Sequence, residues 1–212
     1  MRTRCFAPGF RFGVLRRDGL WAGLRMGAAP CLLFTLFELV PVRRYGFAPQ
    51  EPLAWLECVL SGLRPGLEEE LLLRGVLMVA LLAAFRPSGQ GPLRAALASS
   101  ALFGALHLLN LASGEQPLPG VLIQVVYATA LGLLFSAIYL RTHSLAAPIF
   151  YHALIDIASH IAYNPDPATR LVPAGVGTTL AAAALTTGLA LALLRPEKQP
   201  EVEALWSNLA LA

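Results

Sequence analysis

An all-α, polytopic membrane bundle is the fold this sequence predicts, on three observations. Of its 212 residues 56% are apolar and only 14% charged, where soluble domains carry about 25% charged residues. Apolar runs close to the ~20 residues that cross a bilayer recur along the chain. Clusters of Pro, Gly and charged residues separate them. Strands with unsatisfied backbones cannot cross lipid, so the spans are helices. Six are expected, at about 20–41, 66–86, 93–111, 118–140, 144–163 and 173–195, with one short amphipathic or re-entrant segment at Glu51–Gly62.

The elements follow in order. Met1–Arg17 carries five arginines ahead of an apolar run that continues to about Val40 with no A-x-A site, which predicts an uncleaved membrane anchor. Glu51–Gly62 sets Glu51 and Glu57 beside Leu53, Trp55, Leu56, Val59 and Leu60, the pattern of an interfacial helix. The connectors Pro41–Pro52, Arg86–Pro92, Ser113–Pro119, Arg141–His143 and Asn164–Pro173 are too short to be domains. The reading is thus one integral-membrane domain over residues 1–212, with a motif-bearing core at 66–158 and a polar tail at 196–212. The 16 Lys and Arg residues, net charge +3, stand singly or in pairs at the ends of apolar runs. That is a topology signal, so no nucleic-acid partner is expected. Cys5, Cys31 and Cys58 have neither metal-site nor disulfide spacing and read as packing residues.

Ionisable residues inside spans carry the functional information, since each costs about 2.5–3.5 kcal/mol at mid-helix. Glu68-Glu69-Glu70 opens a helix, and Glu70 and Arg74 are spaced i,i+4 for an ion pair. Acids at a helix start also complement the helix dipole, but three acids with one arginine leave surplus negative charge at the membrane edge. Phe103 and His107 share a face with Ser99, Ser100 and Gly104, small residues that let helices approach. His152 and Asp156 are again i,i+4, so the carboxylate can orient the imidazole. Glu38 reads as a snorkelling residue, and His143 and His160 as solvated loop neighbours. Taken together, the three clusters can activate water and steady an oxyanion.

At these residues the sequence resembles the CPBP family of intramembrane proteases, which includes the type 2 CAAX prenyl endopeptidases. The family's EExxxR, FxxxH and HxxxN/D motifs read here Glu69-Glu70-x-x-x-Arg74, Phe103-x-x-x-His107 and His152-x-x-x-Asp156, in that order. The resemblance implies that Glu69 deprotonates water, that His107 shares or orients that water, that Glu70 and Arg74 hold the helix, and that His152 and Asp156 stabilise the oxyanion. Asp156 departs from the Asn of the CAAX enzymes. Either it is protonated, or it orients His152, or the site binds a metal. No cofactor is expected, with a divalent metal such as zinc as the alternative, because two histidines on two helices without H-E-x-x-H make a thin zinc set. A serine protease would need a G-x-S-x-G-type serine and a presenilin-like aspartyl protease a second intramembrane Asp; both are missing from the sequence.

The function expected is a glutamic-type intramembrane endopeptidase acting on a peptide or protein substrate at the lipid bilayer. A non-catalytic CPBP-type scaffold or bacteriocin-immunity protein is the alternative. A proton-coupled carrier is the third reading, disfavoured because paired broken helices are lacking. The Arg/Ala/Leu-rich, Lys-poor composition suggests a bacterial cell membrane, and compact size suggests a sorting-tail peptidase of the myxosortase kind. With the N- and C-termini cytoplasmic, ten basic residues fall inside against Arg43, Arg44 and Arg170 outside. A rise of ~1.5 Å per residue then sets all three clusters in the outer half of the membrane.

Overall fold

The computed structural model describes residues 17–85, 91–113, 116–164, 173–198, 200–202 and 206. The arginines of the N-terminal segment before Arg17, the connectors around Arg86–Gln90 and Pro165–Val172, and most of the 196–212 tail lie outside the described residues.

Among the described residues the chain is helical and has no strand. Helix α1 runs Arg17–Leu39 and α2 Val42–Tyr45. Helix α3, Pro52–Glu69, passes into a π segment, Glu70–Met78, and on into α4, Val79–Phe85. Then come α5, Gly91–Leu106, a 3₁₀ turn at His107–Leu109, and α6, Asn110–Ser113. Helices α7, Leu118–Thr142, α8, Ala146–Ile161, and α9, Pro173–Leu193, complete the bundle.

Four stretches are long and apolar enough to cross a membrane: Gly19–Tyr45, Gly91–Ala112, Leu118–Thr142 and Gly175–Leu193. The expected count of six therefore stands at four on this measure. The other two are the helix that carries Glu57, Arg64, Glu68, Glu69, Glu70 and Arg74, and α8, which has only 16 residues. Charge in one and shortness in the other remove the motif-bearing helices from a count based on hydropathy.

Residues 51–62 are also not a separate element. Pro65 and Gly66 read as a breaker, but the helix continues through them from Pro52 to Phe85. The glycines serve close packing instead. A Cβ on Gly62 would meet the backbone N of Ile157, and one on Gly66 would lie 2.7 Å from the N of Ala153. Residue numbers on α3 rise as those on α8 fall, so the two run antiparallel in contact. Leu53, Leu56, Leu60 and Leu67 stay exposed on the far side of α3, the face left to lipid.

Helix α7 is the axis of the bundle. Every residue from Ala130 to Leu140 is buried, as an all-round apolar helix requires. Helix α1 approaches through Gly23, whose Cβ would sit 2.9 Å from Ile138, and Gly27, 2.8 Å from Tyr151. On α5, a Cβ on Gly104 would collide with the Thr129 hydroxyl of α7. Helix α9 lays Ala182, Ala183 and Ala190 into the core.

Two further contacts tie down the ends. Ala48 N donates to Ile161 O at 2.9 Å, which clamps the segment after α2 to the end of α8. At the other end of the bundle the Trp206 indole donates to Leu140 O at 3.0 Å and Arg141 pairs with Glu201 at 2.7 Å. His143, expected to be solvated, instead has its ring 4.3 Å from that of Trp206; His160 is exposed, as expected.

Candidate active site

The site forms where α3, the π segment, α5, α7 and α8 meet. Glu69 closes α3 and Glu70 opens the π segment, so adjacent carboxylates leave the same turn in different directions. The Glu69 side chain is 43% exposed, whereas those of Glu70 and Arg74 are fully buried. Glu70 Oε1 accepts from Arg74 Nη1 at 2.8 Å and from His152 Nδ1 at 2.9 Å. One oxygen thus joins the i,i+4 pair to α8. An isolated charge here would cost far more than the pair.

Ser99 Oγ on α5 donates to Leu73 O in the π segment at 2.9 Å. The Arg74 guanidinium lies 4.3 Å from the Phe103 ring centre and 5.7 Å from that of Phe135. Its remaining N–H groups therefore face aromatic surfaces, which attract a cation. Space for it comes from Gly132, where a Cβ would fall 2.7 Å from Arg74 Nη2 and 2.8 Å from Phe103 Cδ1. Gly132→Ala is expected to push the guanidinium off Glu70 and lower turnover by about 10²-fold. The check is kcat beside thermal stability, since a shifted Arg74 costs kcat more than overall fold.

Phe103 touches both histidines edge-on, with centroids 4.9 Å from His107 and 5.7 Å from His152. His107 Nδ1 lies 2.9 Å from Phe103 O. A proton on Nδ1 donates there and leaves Nε2 as an acceptor. Phe135 stacks on His152 at 5.9 Å and 26°. With Nδ1 held by Glu70, His152 Nε2 faces Asp156 Oδ2 at 3.5 Å and Glu69 Oε2 at 3.8 Å. Both distances suit a bridging water better than a direct bond.

A cavity of about 140 Å³ adjoins these groups. His107, His152 and Asp156 line its inner part with Phe103 and Phe135, while Gln116, Gln124 and Ser159 line it toward the start of α7. Glu38 also lines it, so this acid belongs to the cavity wall and is no snorkelling residue. Gln124 Oε1 accepts from Asn110 Nδ2 at 2.9 Å, which orients its amide. The seven residues singled out by the motifs, Glu69, Glu70, Arg74, Phe103, His107, His152 and Asp156, are all brought together here. Among the described residues no group of three or more His, Cys, Asp and Glu side chains is arranged to hold a metal ion.

Sequence reasoning missed Gly132, Phe135 and Gln124. Inside the uniformly apolar α7 nothing distinguishes the first two from core residues. Gly62 and Gly66 had a visible signal, the Gly-x-x-x-Gly spacing of close helix contacts.

A family model described as type II CAAX prenyl endopeptidase, Rce1-like, matches residues 51–158, just over half the chain. The chain belongs to this family. It is accordingly a CPBP-family intramembrane protease by descent and an integral membrane protein. The matched region opens beside Pro52, where α3 begins, and closes two residues after Asp156. This family segment therefore includes the α3 extension along α8. No curated protein and no solved structure matches the chain.

Proposed function

We propose that this protein is a glutamic-type intramembrane endopeptidase that cleaves a membrane-associated or exported protein without a cofactor. The observation that supports this most is the meeting of Glu69 and Asp156 at His152 Nε2, beside a small cavity that His107 also lines. Glu69 takes a proton from water as the water oxygen bonds to the scissile carbonyl carbon, and the carbonyl electron pair moves onto its oxygen. His107 Nε2 accepts the second water hydrogen and orients the attack. His152, with protons on both nitrogens, donates from Nδ1 to Glu70 and from Nε2 to the oxyanion, a contribution of about 3–4 kcal/mol. Collapse of the oxyanion breaks the C–N bond as Glu69 passes its proton to the leaving nitrogen, giving an acid and an amine. Glu70, Arg74 and Phe103 hold this geometry.

Asp156 acts in this scheme through His152, whose Nε2 it faces. Asp156→Asn should then lower kcat by about tenfold or more while His107→Ala and His152→Ala each cost about 10²-fold or more. Undiminished activity in Asp156→Asn would make this residue a neutral donor instead. Loss of wild-type activity to a chelator would favour the zinc alternative.

The cavity extends toward Gln116 at the start of α7 and Glu38 near the end of α1. With both termini cytoplasmic, those ends face the exoplasm, and the unbroken helix from Pro52 to Phe85 adds no extra crossing. Glu69 stands in the middle of that helix, so the proposed site is deeper than sequence spacing places it and opens outward through the cavity. A bacterial cell membrane, six crossings and an exported substrate, with a sorting tail as the leading kind, complete the reading. In a Cys-free background an impermeant thiol probe should label Ser113→Cys and spare Gly89→Cys, and the reverse pattern would invert the topology.

The protease reading itself is tested by mass spectrometry of protein ends in cells carrying the wild type or Glu69→Gln. New ends that need Glu69 support it, whereas identical sets of ends overturn it.

A further inference from the structure

The cavity wall carries two carboxylates, Glu38 and Asp156, and among its lining residues there is no lysine or arginine. Glu38 stands on α1, outside the segment that the family model matches. Arg74, the buried cation closest to the site, is held by Glu70 and covered by Phe103 and Phe135, and it does not line the cavity. The faces that complete the wall are of a kind that also favours a positive group. Tyr127 joins Phe103 and Phe135 there, and aromatic faces attract ammonium and guanidinium ions. Little water enters so small a space inside a bundle, so each carboxylate acts on a guest charge with weak screening.

We infer that Glu38 is a specificity-determining residue and that it receives a lysine or arginine side chain of the substrate, close to the bond that is cut. The inference rests on the protease reading above. At ~3.3 Å per extended residue, the length of such a cavity confines that cation to within about three residues of the cut. Glu38 takes no part in bond making. It selects substrate by charge, and its effect belongs in KM.

The test starts from the protein ends that disappear when Glu69→Gln replaces the wild type. These are expected to carry Lys or Arg within about three residues of the cut, about threefold or more above the membrane-proteome background. Peptides copied from them, with the basic residue kept or replaced by norleucine, are then cleaved by the full chain in nanodiscs. The wild type should prefer the basic peptide by about tenfold in kcat/KM, through KM. Glu38→Gln should erase that preference, Glu38→Asp should retain it, and Glu38→Lys should turn it toward a glutamate-bearing peptide.

Glu69-dependent ends without basic enrichment would overturn this inference and leave the protease reading standing. So would a preference that Glu38→Gln does not change. The wild-type profile decides even where a variant fails to fold. Absence of any Glu69-dependent end would overturn the protease reading and this inference with it.

Discussion

Glu69→Gln should reduce cleavage by about 10²–10⁴-fold, the range that a positioned general base contributes. The amide keeps the size and shape of the carboxylate, and the 43% exposed side chain is not a packing element. The change therefore removes the proton acceptor and little else. Membrane insertion, thermal stability and the Glu70–Arg74–His152 linkage should be unchanged, because those bonds run through the neighbouring glutamate. The measurement is turnover of one peptide in nanodiscs beside a melting curve. Full activity in a well-folded variant would move the base to Asp156, the other carboxylate that faces His152 Nε2.

Gly62→Leu should have an effect of similar size by a different route. A Cβ at this position meets the Ile157 backbone N, which has no rotamer to move. Even Gly62→Ala is expected to cost about 1–3 kcal/mol, and the larger side chain more. Helices α3 and α8 would part at the turn before Glu69, which parts Glu69 and Glu70 from His152 and Asp156. A displacement near 1 Å is enough to cost about 10² in rate. Gly188→Ala supplies the contrast, because nothing lies within 4 Å of an added Cβ there. Melting temperature and turnover should both fall in Gly62→Leu and neither in Gly188→Ala. Equal behaviour of the two variants would refute the close α3–α8 contact.

Both the helical class and the membrane setting could be read from hydropathy, and the seven motif residues from spacing, because a charged group inside an apolar run announces its cost. Boundaries were less legible. Leu63-Arg64-Pro65-Gly66 looks like an end when seen alone, yet the chain runs on because α8 lies against those glycines and rewards their lack of a side chain. Glu38 was misread for a related reason: at the edge of a span, water and a cavity wall give the same sequence signal. Gly132 and Phe135 were silent. Their roles depend on what stands across from them, Arg74 and His152, and no local pattern on α7 encodes that.

The branching hydrogen bonds of Glu70 have a consequence for biogenesis. Its arginine partner is four residues away on the same helix, whereas its histidine partner follows 82 residues later in the chain. A nascent segment can therefore enter the bilayer with its buried charges already neutralised, long before α8 has been synthesised. The linkage to His152 forms only when α8 docks. Chemistry is thereby withheld until assembly is nearly complete, and a chain interrupted before α8 would be inserted, neutral and inert.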